Sequence, residues 1–97
     1  MARPVRWSHT AASDLEEICA YIGKDSPYYA SLFAKRIVSA AKGIRQFPQL
    51  GRVVPQYRDP TIRELIYKGY RLVYRIGAEA VEIVQICHGS KRLRERP

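Results

Sequence analysis

Residues 62–93, IRELIYKGYRLVYRIGAEAVEIVQICHGSKRL, decide the fold. They read as three short strands in a row. Lys68-Gly69 separates the first from the second, and Gly77-Ala78-Glu79-Ala80 separates the second from the third. Runs of Ile, Val, Leu and Tyr between such breaks are strand signals, and connections this short favour antiparallel hairpins. A two-residue turn at Lys68-Gly69 sets Tyr67 opposite Tyr70, Leu65 opposite Leu72 and Glu64 opposite Val73. A second hairpin closed by Gly77 and Ala80 sets Ile76 opposite Val81, Arg75 opposite Glu82 and Arg71 opposite Ile86.

Directly opposed residues share a face of a sheet. One face then holds Leu65, Tyr67, Tyr70, Leu72, Tyr74, Ile76, Val81, Ile83 and Cys87, and needs an apolar cover. The other holds Ile62, Glu64, Ile66, Arg71, Val73, Arg75, Glu82, Val84, Ile86 and His88, and is the expected working surface. A bulged first turn would slip 62–67 by one residue and exchange its faces. The direct register is preferred because it sets Leu65 against Leu72 and Glu64 diagonal to Arg71 and Arg75.

The cover lies upstream. Val5-Arg6-Trp7 is a short strand, and Ser8 or Thr10 can cap the helix after it. Ala12, Leu15, Ile18, Cys19 and Ile22 fall at helical spacing, and Gly23 is expected to end that helix. Ser26-Pro27 restarts the chain, since Ser is a good N-cap and Pro fits the first helical position. Ala30, Phe33, Ile37, Ala40, Ala41, Ile44 and Phe47 form the stripe of a second helix, stopped by Pro48. Helices near 10–23 and 27–46 make an antiparallel hairpin. Residues 48–60, with Pro48, Gly51, Pro55 and Pro60, read as a connection with little regular structure. The predicted fold is α+β: an N-terminal strand, then a two-helix hairpin packed on an antiparallel sheet with a C-terminal three-strand meander.

The chain has 97 residues and 46% hydrophobic content, enough for one domain with a modest core, spanning 1–97 with a basic tail at 90–97. Seventeen Lys and Arg against nine Asp and Glu give a net charge of +8, which suits an anionic partner. The start carries no apolar run of a signal peptide, and no stretch is long and apolar enough to span a membrane, so a cytoplasmic location is expected. Cys19 and Cys87 have no metal-ligand spacing and read as two reduced thiols.

The chain carries no glycine-rich phosphate loop, zinc spacing or nucleophile elbow, so no metal or cofactor is expected. The constellation that remains is Glu64, Arg71, Arg75 and His88, with Lys91 and Arg92 nearby. A metal-free ribonuclease needs a base for the ribose 2′-hydroxyl, an acid for the leaving oxygen and cations for the phosphorane. Glu64, His88, Arg71 and Lys91 formally fill those roles. Equally, Glu64 is the partly exposed ion-pair partner of Arg71 and Arg75, and His88 a strand-end histidine; ion-pair networks are the commoner case. Tyr67, Tyr70 and Tyr74 alternate with Leu65, Leu72 and Ile76, and so read as core rather than as a base-stacking platform. The tail, with four basic residues against one acid, is either a phosphate-binding arm or a solvated charge run.

Tyr70-Arg71-Leu72-Val73-Tyr74-Arg75-Ile76, Arg63-Glu64-Leu65, the Phe47-Pro48-Gln49-Leu50-Gly51-Arg52 loop and His88-Gly89-Ser90-Lys91-Arg92 together resemble the RelE/ParE superfamily, the toxins of bacterial type II toxin–antitoxin systems. The likeness extends to Trp7, the Asp14-Leu15 pair and the Ser26-Pro27 helix start. It implies a helical hairpin on an antiparallel sheet. It also implies a cognate antitoxin whose acidic or amphipathic C-terminal segment wraps the basic body, with Arg36, Arg52, Arg63 and Arg71 as contacts. Operator DNA would be reached only through that antitoxin.

RelE-like members of the superfamily cut mRNA on the ribosome, and ParE-like members poison DNA gyrase. The cutters carry basic residues where this chain has Ile62 and Glu64, and an aromatic in the tail where it has none after Tyr74. Arg71 matches a family arginine at the scissile phosphate, and Lys91 lies near another basic position. The Arg-Glu-Leu and His-Gly-Ser pieces look more like ParE. The resemblance therefore implies a gyrase-directed toxin using Arg71, Arg75, His88, Lys91 and Arg92 on its target. An mRNA endoribonuclease is the first alternative, and an inactive co-repressor that only binds antitoxin is the second.

Overall fold

Ser8 and Ser26 set the two helices. In the computed structural model, which describes residues 3–89, the Ser8 Oγ accepts from the Ala11 N–H at 3.0 Å and opens α1 (His9–Asp25). Ser26 serves both helices: its N–H donates to the Ile22 carbonyl, and its Oγ accepts from the Tyr29 N–H at 3.2 Å to open α2 (Pro27–Gln46). Gly23 therefore does not end α1. A glycine stops a helix by turning to positive φ, and Gly23 does not do so; the positive-φ glycine among the described residues is Gly69, between β3 and β4. Gly23 stays helical where the helices cross, and a Cβ there would stand 3.7 Å from that of Ala30.

The strands are β1 (Val5–Trp7), β2 (Arg52–Val53), β3 (Ile62–Tyr67), β4 (Tyr70–Ile76) and β5 (Val81–His88), in sheet order β1-β5-β4-β3-β2. β1 pairs parallel to β5 and the other pairs are antiparallel, so the sheet is mixed. β2 was not foreseen inside the proline-rich connection; it is only two residues long, pairing Arg52 with Glu64 and Val53 with Arg63. At the β3–β4 turn both Lys68 and Gly69 have positive φ, the backbone of a tight two-residue hairpin. The direct register follows, with Tyr67 opposite Tyr70, Leu65 opposite Leu72 and Glu64 opposite Val73.

The β4–β5 register begins as expected, with Ile76 opposite Val81, Arg75 opposite Glu82 and Tyr74 opposite Ile83, and then shifts by one residue. Val84 is the extra residue of a bulge; beyond it Leu72 faces Ile86, Arg71 faces Cys87 and Tyr70 faces His88. The expected pairing of Arg71 with Ile86 is thus corrected. A one-residue shift turns the side chains beyond it to the other face. Ile86 joins the helix-covered core, and Cys87 joins the opposite cluster. The shifted backbone is held by groups at the start of α1. The Ser8 Oγ donates to the Val84 carbonyl at 3.3 Å, and Asp14 Oδ2 accepts the Ile86 N–H at 3.0 Å. Backbone groups that run past the end of β1 are satisfied there.

The main core packs Ala11, Phe33, Ile37, Ala41 and Ile44 against Leu72, Tyr74, Val81, Ile83 and Ile86. Two stripe positions move. Ala11 rather than Ala12 is buried, and Phe47, the α2 cap residue, has left the helical path and is 69% exposed. The far face, expected to be open, holds a second cluster of Val54, Ile62, Val73, Val84 and Cys87, with Tyr57 packed against it. The segment after β2 supplies this cover.

That segment is anchored through Tyr74. Its buried hydroxyl accepts the Gly51 N–H at 2.8 Å and donates to the Pro48 carbonyl at 2.6 Å. Arg63 adds donations to the Gly51 and Pro60 carbonyls, each at 3.0 Å. Gly51 has no room for a side chain, since a Cβ would lie 2.6 Å from the Glu64 carbonyl oxygen. Burial pushes the Tyr74 hydroxyl pKa up, against downward pulls from the Gly51 N–H and the Arg63 guanidinium. The fold thus favours the neutral phenol. Its contribution to stability is complete below the ordinary tyrosine value of about 10 and is lost as pH rises through the raised value. Tyr74→Phe should cost about 1–3 kcal/mol at neutral pH, because two buried backbone groups lose their partner. Denaturant melts should also show a shallower alkaline decline than in the wild type.

Candidate functional site

Three strands bring one carboxylate and two guanidinium groups together on the far face. β3 presents Glu64, β2 sets Arg52 opposite it, and β4 sets Arg71 diagonally across. Arg52 Nε and Nη2 each lie 2.8 Å from Glu64 Oε2, and Arg71 Nε lies 2.5 Å from Glu64 Oε1. The Glu64 side chain is fully buried, that of Arg71 is 12% exposed and that of Arg52 is 61% exposed. Arg71 Nη2 also reaches Gln56 Oε1, at a long 3.5 Å, from the covering segment.

The arrangement differs from the one expected. Glu64 pairs with Arg52 and Arg71, not with Arg75. Arg75 instead meets Glu82 at 3.2 Å, with both side chains about half exposed. Glu64, expected to be partly exposed, is buried, with β2 paired along its strand. Both of its oxygens are engaged by guanidinium groups, which leaves the carboxylate a clamp between strands rather than a base open to a hydroxyl.

His88 is not with them. The bulge at Val84 sets it beside Tyr70, the two rings meeting edge-on with centroids 5.4 Å apart. Tyr70 in turn packs on Phe33, on the helix-covered side of the sheet. The face first expected for His88, alongside Glu64 and Arg71, is corrected by the same shift. Arg63 is occupied with the carbonyls of 51 and 60. Arg36 is exposed on α2, on the opposite side of the sheet from Glu64. Lys91 and Arg92 lie outside the described residues.

The sequence reading missed Arg52 and Gln56 as neighbours of Arg71, since the strand and segment that carry them were taken as irregular. The signal was present in Arg52-Val53-Val54, a short β-branched run ahead of Pro55. Among the described residues no group of three or more His, Cys, Asp and Glu is placed to hold a metal, and no helix is long and apolar enough to cross a membrane. Cys19 and Cys87 are not joined in a disulfide, and burial pushes the Cys19 pKa up, away from the reactive thiolate.

Glu64→Ala should cost about 3–5 kcal/mol, because Arg71 keeps a largely buried charge without its anion. Arg52→Ala should cost no more than about 1 kcal/mol, since that side chain is mostly in water. Urea melts of the two single variants and their double variant measure both costs and their coupling. A Glu64→Ala variant as stable as Arg52→Ala would show that the clamp contributes little.

A family model described as the ParE toxin of type II toxin–antitoxin systems, parDE, matches residues 5–93. A protein named toxin RelE2, from Caulobacter vibrioides, is 34% identical over 88 residues, covering 90% of this chain and 96% of that one. Among solved structures, the chromosomal ParDE toxin–antitoxin system of P. aeruginosa superposes with a TM-score of 0.73 at 23% identity, over 90% of this chain and 96% of the other. The RelBE2 toxin–antitoxin complex of Mycobacterium tuberculosis superposes with a TM-score of 0.63 at 22% identity, over 91% and 99%.

Proposed function

Since the chain belongs to the ParE toxin family of type II toxin–antitoxin systems, we propose that it arrests growth by binding DNA gyrase in the cytoplasm and is neutralised by a cognate antitoxin. One observation carries the choice of target. Glu64, the group best placed beside Arg71 to act as a general base, is buried with both oxygens engaged. His88, the other proton-transfer candidate, stands on the opposite face beside Tyr70. The acid–base pair that cleavage at a ribose 2′-hydroxyl requires is therefore not assembled among the described residues. A protein-binding toxin needs no such pair; it needs presented cations and a rigid body.

In this reading Arg71 serves the clamp first, and the exposed Arg75 contributes more directly to the target surface, with His88, Lys91 and Arg92 at the chain's C-terminal side. Arg36, Arg52, Arg63 and Arg71 contact the antitoxin, whose acidic segment answers the net charge of +8. DNA enters only through the antitoxin. Ribosome-dependent mRNA cleavage is the second reading, favoured by the retained Arg71.

Induction in a bacterial host separates the two. The expected outcome is a DNA-damage response and accumulated gyrase–DNA cleavage complexes, with mRNA 5′ ends unchanged. New mRNA ends within translated codons, without a damage response, would replace the gyrase reading by the ribonuclease one. Arg75→Ala is the informative variant, because Arg71→Ala would strip Glu64 of its partner and confound toxicity with folding. A protein interface spreads its energy over several anchors, so Arg75→Ala should lower toxicity by less than about tenfold while the melting temperature holds.

A further inference from the structure

The α1–α2 junction and the β3–β4 turn meet at one end of the molecule, and aromatic rings collect there. Tyr21, Tyr28 and Tyr29, on either side of the junction, are 68%, 71% and 61% exposed. Tyr29 lines a cavity of about 290 Å³ together with Ile22, Leu32, Tyr67, Lys68 and Tyr70. The buried Phe33 fixes its walls, since that ring meets those of Tyr67 and Tyr70 at centroid distances of 5.8 and 5.1 Å. The mouth is fixed as well. The Gly69 carbonyl accepts the Gly89 N–H at 2.6 Å, which ties the turn carrying Lys68 to the end of β5. The Lys68 ammonium makes no hydrogen bond or ion pair among the described residues.

Exposed tyrosines around a rigid apolar hollow have the composition of a protein-interface hot spot. The lining selects what enters. A nucleic-acid strand needs several phosphate contacts and ring faces open for stacking. Here one ammonium stands among the lining residues, and the Tyr67 and Tyr70 rings are held against Phe33. The volume lies at the lower limit for a small-molecule site and suits a single inserted side chain. Tyr70 also meets the His88 ring edge-on, so the cavity adjoins a residue assigned above to the target surface. We propose that this cavity anchors the toxin on its target protein, taking from it an apolar or aromatic side chain flanked by a carboxylate for Lys68. The anchor rests on the gyrase reading above and deepens it. It adds an apolar contact to a target surface otherwise made of cations and His88.

The test is inhibition of DNA supercoiling by purified gyrase, with the full chain and its variants as inhibitors. Tyr29→Asp should raise the half-inhibitory concentration at least about tenfold. Lys68→Asn should raise it about threefold or more. Its melting temperature should hold or rise, because Asn-Gly is favoured where two successive turn residues take positive φ. A merely structural Lys68 would move stability and leave inhibition alone. Lys35→Gln, which removes one exposed cation from the middle of α2, should inhibit as the wild type does. Wild-type inhibition by folded Tyr29→Asp and Lys68→Asn would overturn the anchor and leave the gyrase reading standing. No inhibition by the wild type would overturn both. Two further results would overturn the anchor by naming another occupant. One is loss of binding to the purified product of the adjoining reading frame by Tyr29→Asp, with inhibition of gyrase intact. The other is self-association of the wild type that Tyr29→Asp abolishes, again with inhibition intact.

Discussion

The carboxylate of Glu64, buried between two arginines, is the constraint on which the far side of the molecule depends. It ties β2 to β3 through Arg52 and β3 to β4 through Arg71. Removing Glu64 or Arg71 alone would leave the other as a buried charge without its partner, and that is what makes the clamp costly to break. With β2 held, Gly51 sits against the Glu64 backbone and within reach of the Tyr74 hydroxyl. Val54 and Tyr57 then close over Ile62, Val73 and Val84. The sheet is thereby packed on both faces, and the charge that looked like a reactive group is consumed in holding the second layer.

Much of this was legible. Both hairpin turns stand between β-branched runs, and Ser26-Pro27 is a strong helix start, so the meander and the helical hairpin follow from local chemistry. The bulge at Val84 was not legible, because Val84, Ile86 and Cys87 are all apolar and either phase buries apolar residues. The groups that hold it, Ser8 and Asp14, lie more than seventy residues away in sequence. Adjacent Ala11 and Ala12 cannot be told apart by periodicity, and Phe47 keeps the helical period just past the point where Pro48 forbids the helix. At the candidate site, Glu64 and Arg71 were read together correctly. The third member, Arg52, was hidden in a strand too short to show a pattern, and the burial of Glu64 went unseen with it.

The bulge and the clamp act on function in the same direction. One carries His88 to the aromatic side of the sheet, and the other withdraws Glu64 from solvent. Together they leave Arg52 and Arg75 presented on the far side, with no pocket of paired acids and bases assembled there among the described residues. Such a surface recognises by charge and shape, and the proposed gyrase reading is built on that.

The parallel pairing of β1 with β5 has a consequence in time. β1 is made well before β5, and the two meet through contacts of very long sequence separation. The helical hairpin and the β3–β4 hairpin close over short loops and form early, whereas contacts this distant form late. Until β5 arrives, α1 has no bulge to hold, Ser8 and Asp14 have no strand to bond, and the apolar stripes of both helices lack much of their cover. The described fold is therefore completed only when β5 docks, and until then its apolar inner surface is open to whatever binds first.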